Sequence, residues 1–268
     1  MQNVYVVGAA QSEFGAFPDE SYRSLFSSAF ENAVESVDKN FDRTEVDEAF
    51  IGTLGVGGRQ LGLSGPAVTE YVGLNGTPST RVENACAASG VALRQAVTSI
   101  RAGVSDIAVA GGVEIMTDMS GEQTRYWLGV SGETEWERMA GTTFAGVYAQ
   151  MASAHMDEYD TTREHLSRVA AKNHGNGSKN PHAHLGFNCS LEDAMEAATI
   201  ADPLNLYDCC PTSDGASVAI LASRETAEEL TDSPVRITGS GQASGTVGLF
   251  QRPTITGIPA TTKAAEQA

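Results

Sequence analysis

The residue of this chain with the clearest chemical potential is a cysteine between an extended segment and a helical one. Cys86 lies in residues 83–90, which are nearly all small, and residues 91–97 are good helix formers. The unpaired N–H groups and the positive dipole end of a helix start favour a thiolate over a thiol. We therefore expect a reactive thiol at Cys86, although a small buried core cysteine fits its position equally well.

Two other patterns that suggest a ligand site are weaker. His182 and His184 are two residues apart, whereas helical metal pairs use i and i+4, so we expect hydrogen-bonded loop residues there. The glycine-rich residues 52–58 follow a strand pattern but lack the Lys-Ser/Thr of a phosphate-binding loop. We predict that the chain holds no metal ion and no cofactor.

The elements around Cys86 alternate between strand and helix patterns. Strand patterns occupy residues 4–8, 49–52, 79–82 and 107–110, and helical patterns occupy residues 21–37, 67–72 and 90–102. We expect Ser21 to cap the first helix and Gly103 to end the third. The alternation indicates an α/β sheet covered on both faces, with ligands at the carboxyl ends of its strands. Cys86 lies just past such an end.

The middle of the chain differs in composition. Residues 117–206 are more polar, contain both tryptophans and show no strand pattern, with helical patterns at 143–156 and 163–173 and a turn-rich stretch at 173–188. The sheet pattern returns at 216–222 and 235–239. We therefore predict a core built from residues 1–118 and 207–250, an inserted segment at 119–206, and a separate final segment at 251–268.

Charge and cysteine usage limit the environment of the protein. The 268 residues carry a formal net charge of −17, which argues against nucleic acid or an anionic membrane surface as a partner. The acidic excess favours a salt-rich cytoplasm, where screening relieves carboxylate repulsion, over an ordinary acidic protein. Equal stability in dilute buffer and in molar salt would contradict this hypothesis. The four cysteines form no spaced framework, so we expect reduced thiols in a cytoplasmic protein.

Two motifs, in order, resemble the thiolase family. Residues 82–92 read Val-Glu-Asn-Ala-Cys-Ala-Ala-Ser-Gly-Val-Ala, and residues 105–116 read Ser-Asp-Ile-Ala-Val-Ala-Gly-Gly-Val-Glu-Ile-Met. Further matching stretches lie at residues 180–184 and 208–216. The chain is most similar to the archaeal branch, which resembles the sterol-carrier-protein type of thiolase. Together with the acidic composition, this resemblance suggests a haloarchaeal source.

The resemblance implies a fold and a set of site residues. The implied fold is a thiolase-like, layered α/β/α arrangement with a mixed five-stranded sheet and an inserted loop domain that helps bind coenzyme A and build the tetramer. Cys86 would take the acyl group from acyl-CoA as a thioester, with Cys210, Gly112 and Met116 contacting the substrate. A buried structural thiol is an equally open interpretation of Cys210. We expect the backbone at Gly111 and Gly112 to approach the helix after Cys86 closely.

The same resemblance identifies groups that these residues lack. Thiolases consist of two similar halves, and the second half supplies a His or Asn motif, a Gly-His-Pro histidine and a Cys-x-Gly cysteine. No histidine follows His184 and no cysteine follows Cys210. We therefore expect residues 251–268 to begin a truncated second half, in a fragment, a split gene product or a truncated homologue.

Two classes of function stay open. The first is a thiolase acyltransferase that catalyses reversible Claisen condensation or thiolytic cleavage of 3-oxoacyl-CoA, and the second is a non-catalytic homologue that assembles with a partner chain. A ketosynthase or hydroxymethylglutaryl-CoA synthase would share the fold, but residues 84–90 favour thiolase. The expected partners are acyl-CoA, further copies of the chain in a dimer or tetramer, and a scaffold protein or partner chain.

Overall fold

Two compact units make up the part of the chain that the computed structural model describes, residues 2–59 and 62–268. The first unit contains residues 1–118, 213–242 and 263–268, and the second contains residues 119–212 and 243–262. The second unit therefore begins where the predicted insertion begins, but it also takes in residues 207–212 and 243–262. The assignment of these parts as domains stays a prediction.

A mixed sheet of six strands forms the centre of the first unit. The strands of the described residues are β1 (Val4–Gln11), β2 (Glu48–Gly52), β3 (Ser79–Val82), β4 (Ile107–Glu114), β5 (Thr199–Ala201), β6 (Leu204–Asn205), β7 (Gly215–Ser223) and β8 (Val235–Ile237). The sheet order is β3-β2-β4-β7-β1-β8, and β5 pairs with β6 in the second unit. Strand β2 runs parallel to β3 and β4, whereas β7 runs antiparallel to β4 and β1.

Helices cover both faces of the sheet and build most of the second unit. The α-helices of the described residues are α1 (Tyr22–Glu35), α2 (Ser64–Thr69), α3 (Ala88–Ala102), α4 (Gly121–Gly129), α5 (Phe144–Tyr159), α6 (Arg163–Gly177), α7 (Leu191–Glu196), α8 (Arg224–Leu230) and α9 (Pro259–Gln267). Ser21 caps α1 through a capping box, and Gly103 ends α3 with a φ of 73°, both as predicted.

The two faces of the sheet pack against different helices. On one face, Phe26 and Phe30 of α1 join a cluster that includes Val109 of β4, and on the other face Val97 and Ile100 of α3 pack in a second cluster. Strand β4 is buried on both sides because its alternate residues belong to the two clusters. The α/β fold with helices on both sides of a mixed sheet is therefore confirmed.

Three details differ from the sequence-based expectations. The sheet has six strands rather than five, because the short strand β8 pairs with residues Val4–Val6 of β1. Helix α6 continues past residue 173 to Gly177, so the predicted turn-rich stretch begins inside a helix. The inserted region contains the strand pair β5 and β6, although no strand pattern marks it.

The second unit has a small core of its own. Ala170, Cys189 and Ala194 pack together beside Tyr207, and Arg163 forms a 2.6 Å ion pair with the largely buried carboxylate of Asp208. Among the described residues, no helix is both long enough and apolar enough to cross a membrane.

Candidate active site

Cys86 lies in a tight turn at the carboxyl end of β3. The turn Ala85–Ala87 leads directly into α3, and the Cys86 side chain is exposed. Ala85 has a φ of 47°, a left-handed conformation that costs a non-glycine residue about 1–2 kcal/mol. The Glu83 carboxylate holds this conformation by accepting a 2.7 Å hydrogen bond from the Ala85 N–H. The backbone therefore bends sharply and presents the thiol at the end of the sheet.

Two glycines on neighbouring strands let the start of α3 rest directly on the sheet. Gly52 of β2 pairs with Val82 of β3 and with Gly112 of β4, so the three strands reach the same level. A Cβ at Gly112 would lie 1.9 Å from Ser89 Oγ, and a Cβ at Gly52 would lie 2.6 Å from the Ser89 nitrogen. This contact fixes α3 three residues beyond Cys86.

The predicted close approach of the Gly111-Gly112 pair is therefore confirmed for one residue and wrong for the other. Gly112 faces α3, whereas a Cβ at Gly111 would point to the opposite side of the sheet and lie 2.9 Å from the ring of Phe26 in α1. Successive residues of a strand face opposite sides, so only one member of the pair can meet α3.

A half-buried carboxylate lies at the end of β4, two residues beyond Gly112. Glu114 accepts hydrogen bonds of 2.8–3.0 Å from the backbone N–H groups of residues 54–56, which follow β2. Burial raises the pKa of Glu114, and the hydrogen bonds from Val56 and its neighbours only partly offset this increase. The neighbouring phenol of Tyr22 is also buried, which raises its pKa to about 12.

A second carboxylate, Asp214, joins three segments of the first unit. Its Oδ1 accepts from the N–H groups of Met116 and Thr117 at 2.6 and 2.9 Å, and its Oδ2 accepts from the Phe17 N–H and the Thr117 hydroxyl at 2.9 and 2.6 Å. Burial alone would raise the pKa of Asp214, but these hydrogen bonds hold it below its ordinary value. Asp214 thus fixes the chain at Met116.

The four residues predicted to form the site are divided between the two units. Cys86, Gly112 and Met116 belong to the first unit, where Gly112 contacts the helix that follows Cys86. Cys210 belongs to the second unit, where its side chain is exposed, so the alternative of a buried structural thiol is wrong for this residue. Contact of Cys210, Gly112 and Met116 with a substrate stays a prediction.

An open groove of about 550 Å³ runs beside the start of α3. It is lined by Ser89, Gly90 and Leu93 of α3 and by uncharged residues of β1, β4 and β7. None of its lining residues carries an acid or base, so the groove offers packing surface rather than chemistry.

Sequence reasoning did not single out Glu114, Asp214 or Arg81 as members of the site region. Glu114 and Asp214 fall inside stretches that resemble the family, residues 105–116 and 208–216, so a signal existed for both. Arg81 lies in the strand pattern just before Cys86, and its Nη2 donates to the backbone oxygens of Thr53 and Leu54. Such side-chain contacts with distant loops leave no local pattern in a sequence.

The fold and the site together define the class of this molecule. It is an α/β protein with a mixed sheet, in which a strained turn between the carboxyl end of β3 and the start of a helix presents an exposed cysteine. Residues 4–225 match the family model described as the N-terminal domain of thiolase. The chain therefore belongs to the thiolase family.

Known proteins place the chain within that family. It is 40% identical over 270 residues to an acetyl-CoA acetyltransferase of Methanothermobacter thermautotrophicus, covering all of this chain and 69% of the relative. It is 30% identical over 241 residues to human sterol carrier protein 2, covering 83% of this chain and 42% of that protein. The chain is therefore similar both to an archaeal acetyl-CoA acetyltransferase and to a sterol carrier protein, the two kinds of relative that the motifs suggest.

A solved structure supports the fold independently of sequence. The Ltp2-ChsH2(DUF35) aldolase superimposes with a TM-score of 0.82 over 99% of this chain and 68% of that chain, at 24% sequence identity. At this level of identity the likeness concerns the fold alone. The thiolase-like fold predicted from the motifs is confirmed.

Proposed function

We propose that this chain carries the acyl-accepting cysteine of a thiolase-type acyltransferase. The Cys86 thiolate attacks the thioester carbonyl of an acyl-CoA, an acyl-cysteine thioester forms, and coenzyme A leaves as its thiol after gaining a proton. The acyl group then passes to the carbanion of a second acyl-CoA, or the reverse sequence cleaves a 3-oxoacyl-CoA. The transfer uses the coenzyme A thioester as substrate and needs no metal ion or resident cofactor.

The observation that carries this proposal is the way the backbone presents Cys86. The thiol is exposed, the preceding residue has a φ of 47°, and the helix that follows packs closely on Gly52 and Gly112 through Ser89. Strained backbone is kept where the surrounding structure holds it in place, and such sites are frequently functional. The relatives named acetyl-CoA acetyltransferase support the same chemistry for this chain.

Two further groups are needed for the complete reaction, and we propose that residues outside these 268 supply them. Thiolate formation at neutral pH calls for an imidazole or an equivalent donor set, and the Claisen step calls for a base that removes an α-proton. The Gly-His-Pro and Cys-x-Gly motifs that hold these groups in thiolases do not occur in the sequence. The Methanothermobacter relative extends beyond the matched 69% of its length.

Incubation of the 268-residue chain with acetyl-CoA is expected to leave its intact mass unchanged. In this 268-residue chain Cys86 has no Gly-His-Pro histidine to activate it, so the acyl-enzyme forms too slowly to accumulate. Intact-mass spectrometry measures the outcome, with Cys86→Ser as the matched control. A stable acetyl adduct on the chain that is missing from the control would contradict the need for the second-half histidine.

A non-catalytic homologue that assembles with a partner chain is the second candidate. The observation behind it is the name of the structural neighbour, Ltp2-ChsH2(DUF35) aldolase, which joins the names of two components. A partner chain or scaffold, a homodimer or a tetramer would fit either candidate. A ketosynthase or hydroxymethylglutaryl-CoA synthase is less favoured because of residues 84–90.

The proposed setting of this activity is a cytoplasm rich in salt. The net charge of −17 is the observation behind it, because dilute buffer leaves the repulsion among carboxylates unscreened. A haloarchaeal source is part of the same proposal.

A further inference from the structure

The loop that follows β2 donates a row of backbone hydrogen bonds to one carboxylate. Glu114 Oε1 accepts from the N–H groups of Gly55 and Val56 at 3.0 and 2.8 Å, and Oε2 accepts from Leu54 N–H at 2.9 Å. The hydroxyl of Thr53 lies 3.3–3.4 Å from both oxygens. Three consecutive N–H groups that converge on one carboxylate fix the conformation of this loop, residues 53–56, which we call the β2 loop.

The other side of the β2 loop is bound to β3. Arg81 Nη2 donates to the carbonyl oxygens of Leu54 and Thr53 at 2.8 and 3.3 Å, and the Thr53 N–H donates to the Val82 oxygen at 3.1 Å. The N–H groups of the loop thus face the Glu114 carboxylate while its carbonyl groups face the guanidinium of Arg81. The ends of β2, β3 and β4 are joined through this one loop.

The segment of β3 that the loop holds leads straight into Cys86. Only three residues separate Val82 from Cys86, and the last of them, Ala85, is restricted by its φ of 47° and by its hydrogen bond to Glu83. Beyond Cys86, the contacts of Gly52 and Gly112 with Ser89 hold α3. Cys86 is therefore fixed from both sides, and Glu114 controls the side that precedes it.

We propose that Glu114 is a positioning residue for the Cys86 thiol, acting through the β2 loop and the end of β3. This inference rests on the proposed acyl transfer at Cys86. Glu114 itself does not contact the substrate: its carboxylate holds the loop, the loop holds Val82, and the thiol then meets the thioester carbon at the correct distance and angle. A neutral amide at this position has one acceptor oxygen instead of two, so it cannot hold all the N–H groups of the loop.

Two bromoacetyl reagents distinguish the alignment of the Cys86 thiol from its intrinsic reactivity. Bromoacetyl-CoA and bromoacetamide both alkylate a thiolate, forming a thioether and releasing bromide, but only the first is placed by coenzyme A contacts. The ratio of their rates at Cys86, followed by peptide mass spectrometry, therefore reports how well the thiol is aligned with a bound acyl arm. Glu114→Gln is expected to lower this ratio about tenfold and to change the bromoacetamide rate less than twofold.

Glu48→Gln is the matched control. Glu48 is a half-buried carboxylate at the start of β2 that accepts hydrogen bonds from Ser99 and Ser105, at the opposite end of α3. Glu48→Gln is expected to lose about as much stability as Glu114→Gln, but without a change in the rate ratio. Thr53→Val, which removes one donor to Glu114, is a milder second variant that is expected to lower the ratio in the same direction if Glu114→Gln fails to fold.

The outcomes distinguish this inference from the proposed function. A wild-type chain with no preference for bromoacetyl-CoA would overturn both. A preference that is kept in Glu114→Gln, or in Thr53→Val if only that variant folds, would overturn the positioning role alone. An equal decrease in Glu48→Gln would also overturn it, because the effect would then follow stability rather than the β2 loop.

Discussion

Replacing Gly52 with alanine is expected to lower the free energy of unfolding by about 3 kcal/mol, at the upper end of overpacking effects. The new Cβ would lie 2.6 Å from the Ser89 nitrogen and 2.7 Å from the carbonyl carbon of Ala88. Both are backbone atoms, so no side-chain rotation relieves the clash and α3 must move away from the sheet. Urea denaturation followed by circular dichroism measures the loss.

Gly90→Ala is the matched control for this variant. Gly90 lies within the same helix, and a Cβ there would meet no atom within 4 Å. Alanine is the better helix former, so this variant is expected to gain about 0.5–1 kcal/mol. If both variants had the same stability, the direct contact between β2 and the start of α3 would not exist in the folded protein.

Asp214→Asn is expected to lower the free energy of unfolding by about 4 kcal/mol, the scale for removing one charged partner from a buried network. Asp214 is fully buried and accepts four hydrogen bonds. Asparagine keeps one acceptor oxygen, and its amide group would face either the Phe17 N–H or the N–H groups of Met116 and Thr117. Chemical denaturation at neutral pH measures the loss.

The pH dependence gives a second measurement on the same variant. The folded pKa of Asp214 lies below its ordinary value, so its stabilisation is complete above the unfolded pKa, near 3.9, and is lost as the pH falls through the folded pKa. The difference between wild type and Asp214→Asn should therefore shrink in acid. Asp232→Asn, which removes an exposed partner of Lys39, is expected to change stability by less than about 1 kcal/mol. A similar loss in both variants would contradict the role of Asp214.

Much of the sheet and the location of the site could be predicted from local patterns. The strand pattern at residues 79–82 and the small residues around Cys86 predict where the chain turns from sheet to helix, and the structure has that turn. The pair Gly111 and Gly112 was predicted to approach the helix because glycine lets another backbone come close, and Gly112 does so. These features depend on residues close together in the sequence.

The remaining features depend on residues that are distant in the sequence. Gly52 meets Ser89 across 37 positions, and Asp214 binds Phe17, Met116 and Thr117 from far along the chain. A carboxylate at the end of a strand, such as Glu114, has the same local pattern whether it faces solvent or a loop. Helix α6 includes Gly175, although glycine alone favours a turn.

The most direct test of acyl transfer at Cys86 is the site and rate of alkylation by bromoacetyl-CoA. Cys86 is exposed in the structure, so both bromoacetyl-CoA and bromoacetamide can reach its thiol. Cys86 is expected to react faster with bromoacetyl-CoA than with bromoacetamide, and free coenzyme A is expected to slow the first reaction but not the second. Equal rates of labelling at Cys86 by the two reagents, unaffected by coenzyme A, would contradict Cys86 as the acyl-accepting residue.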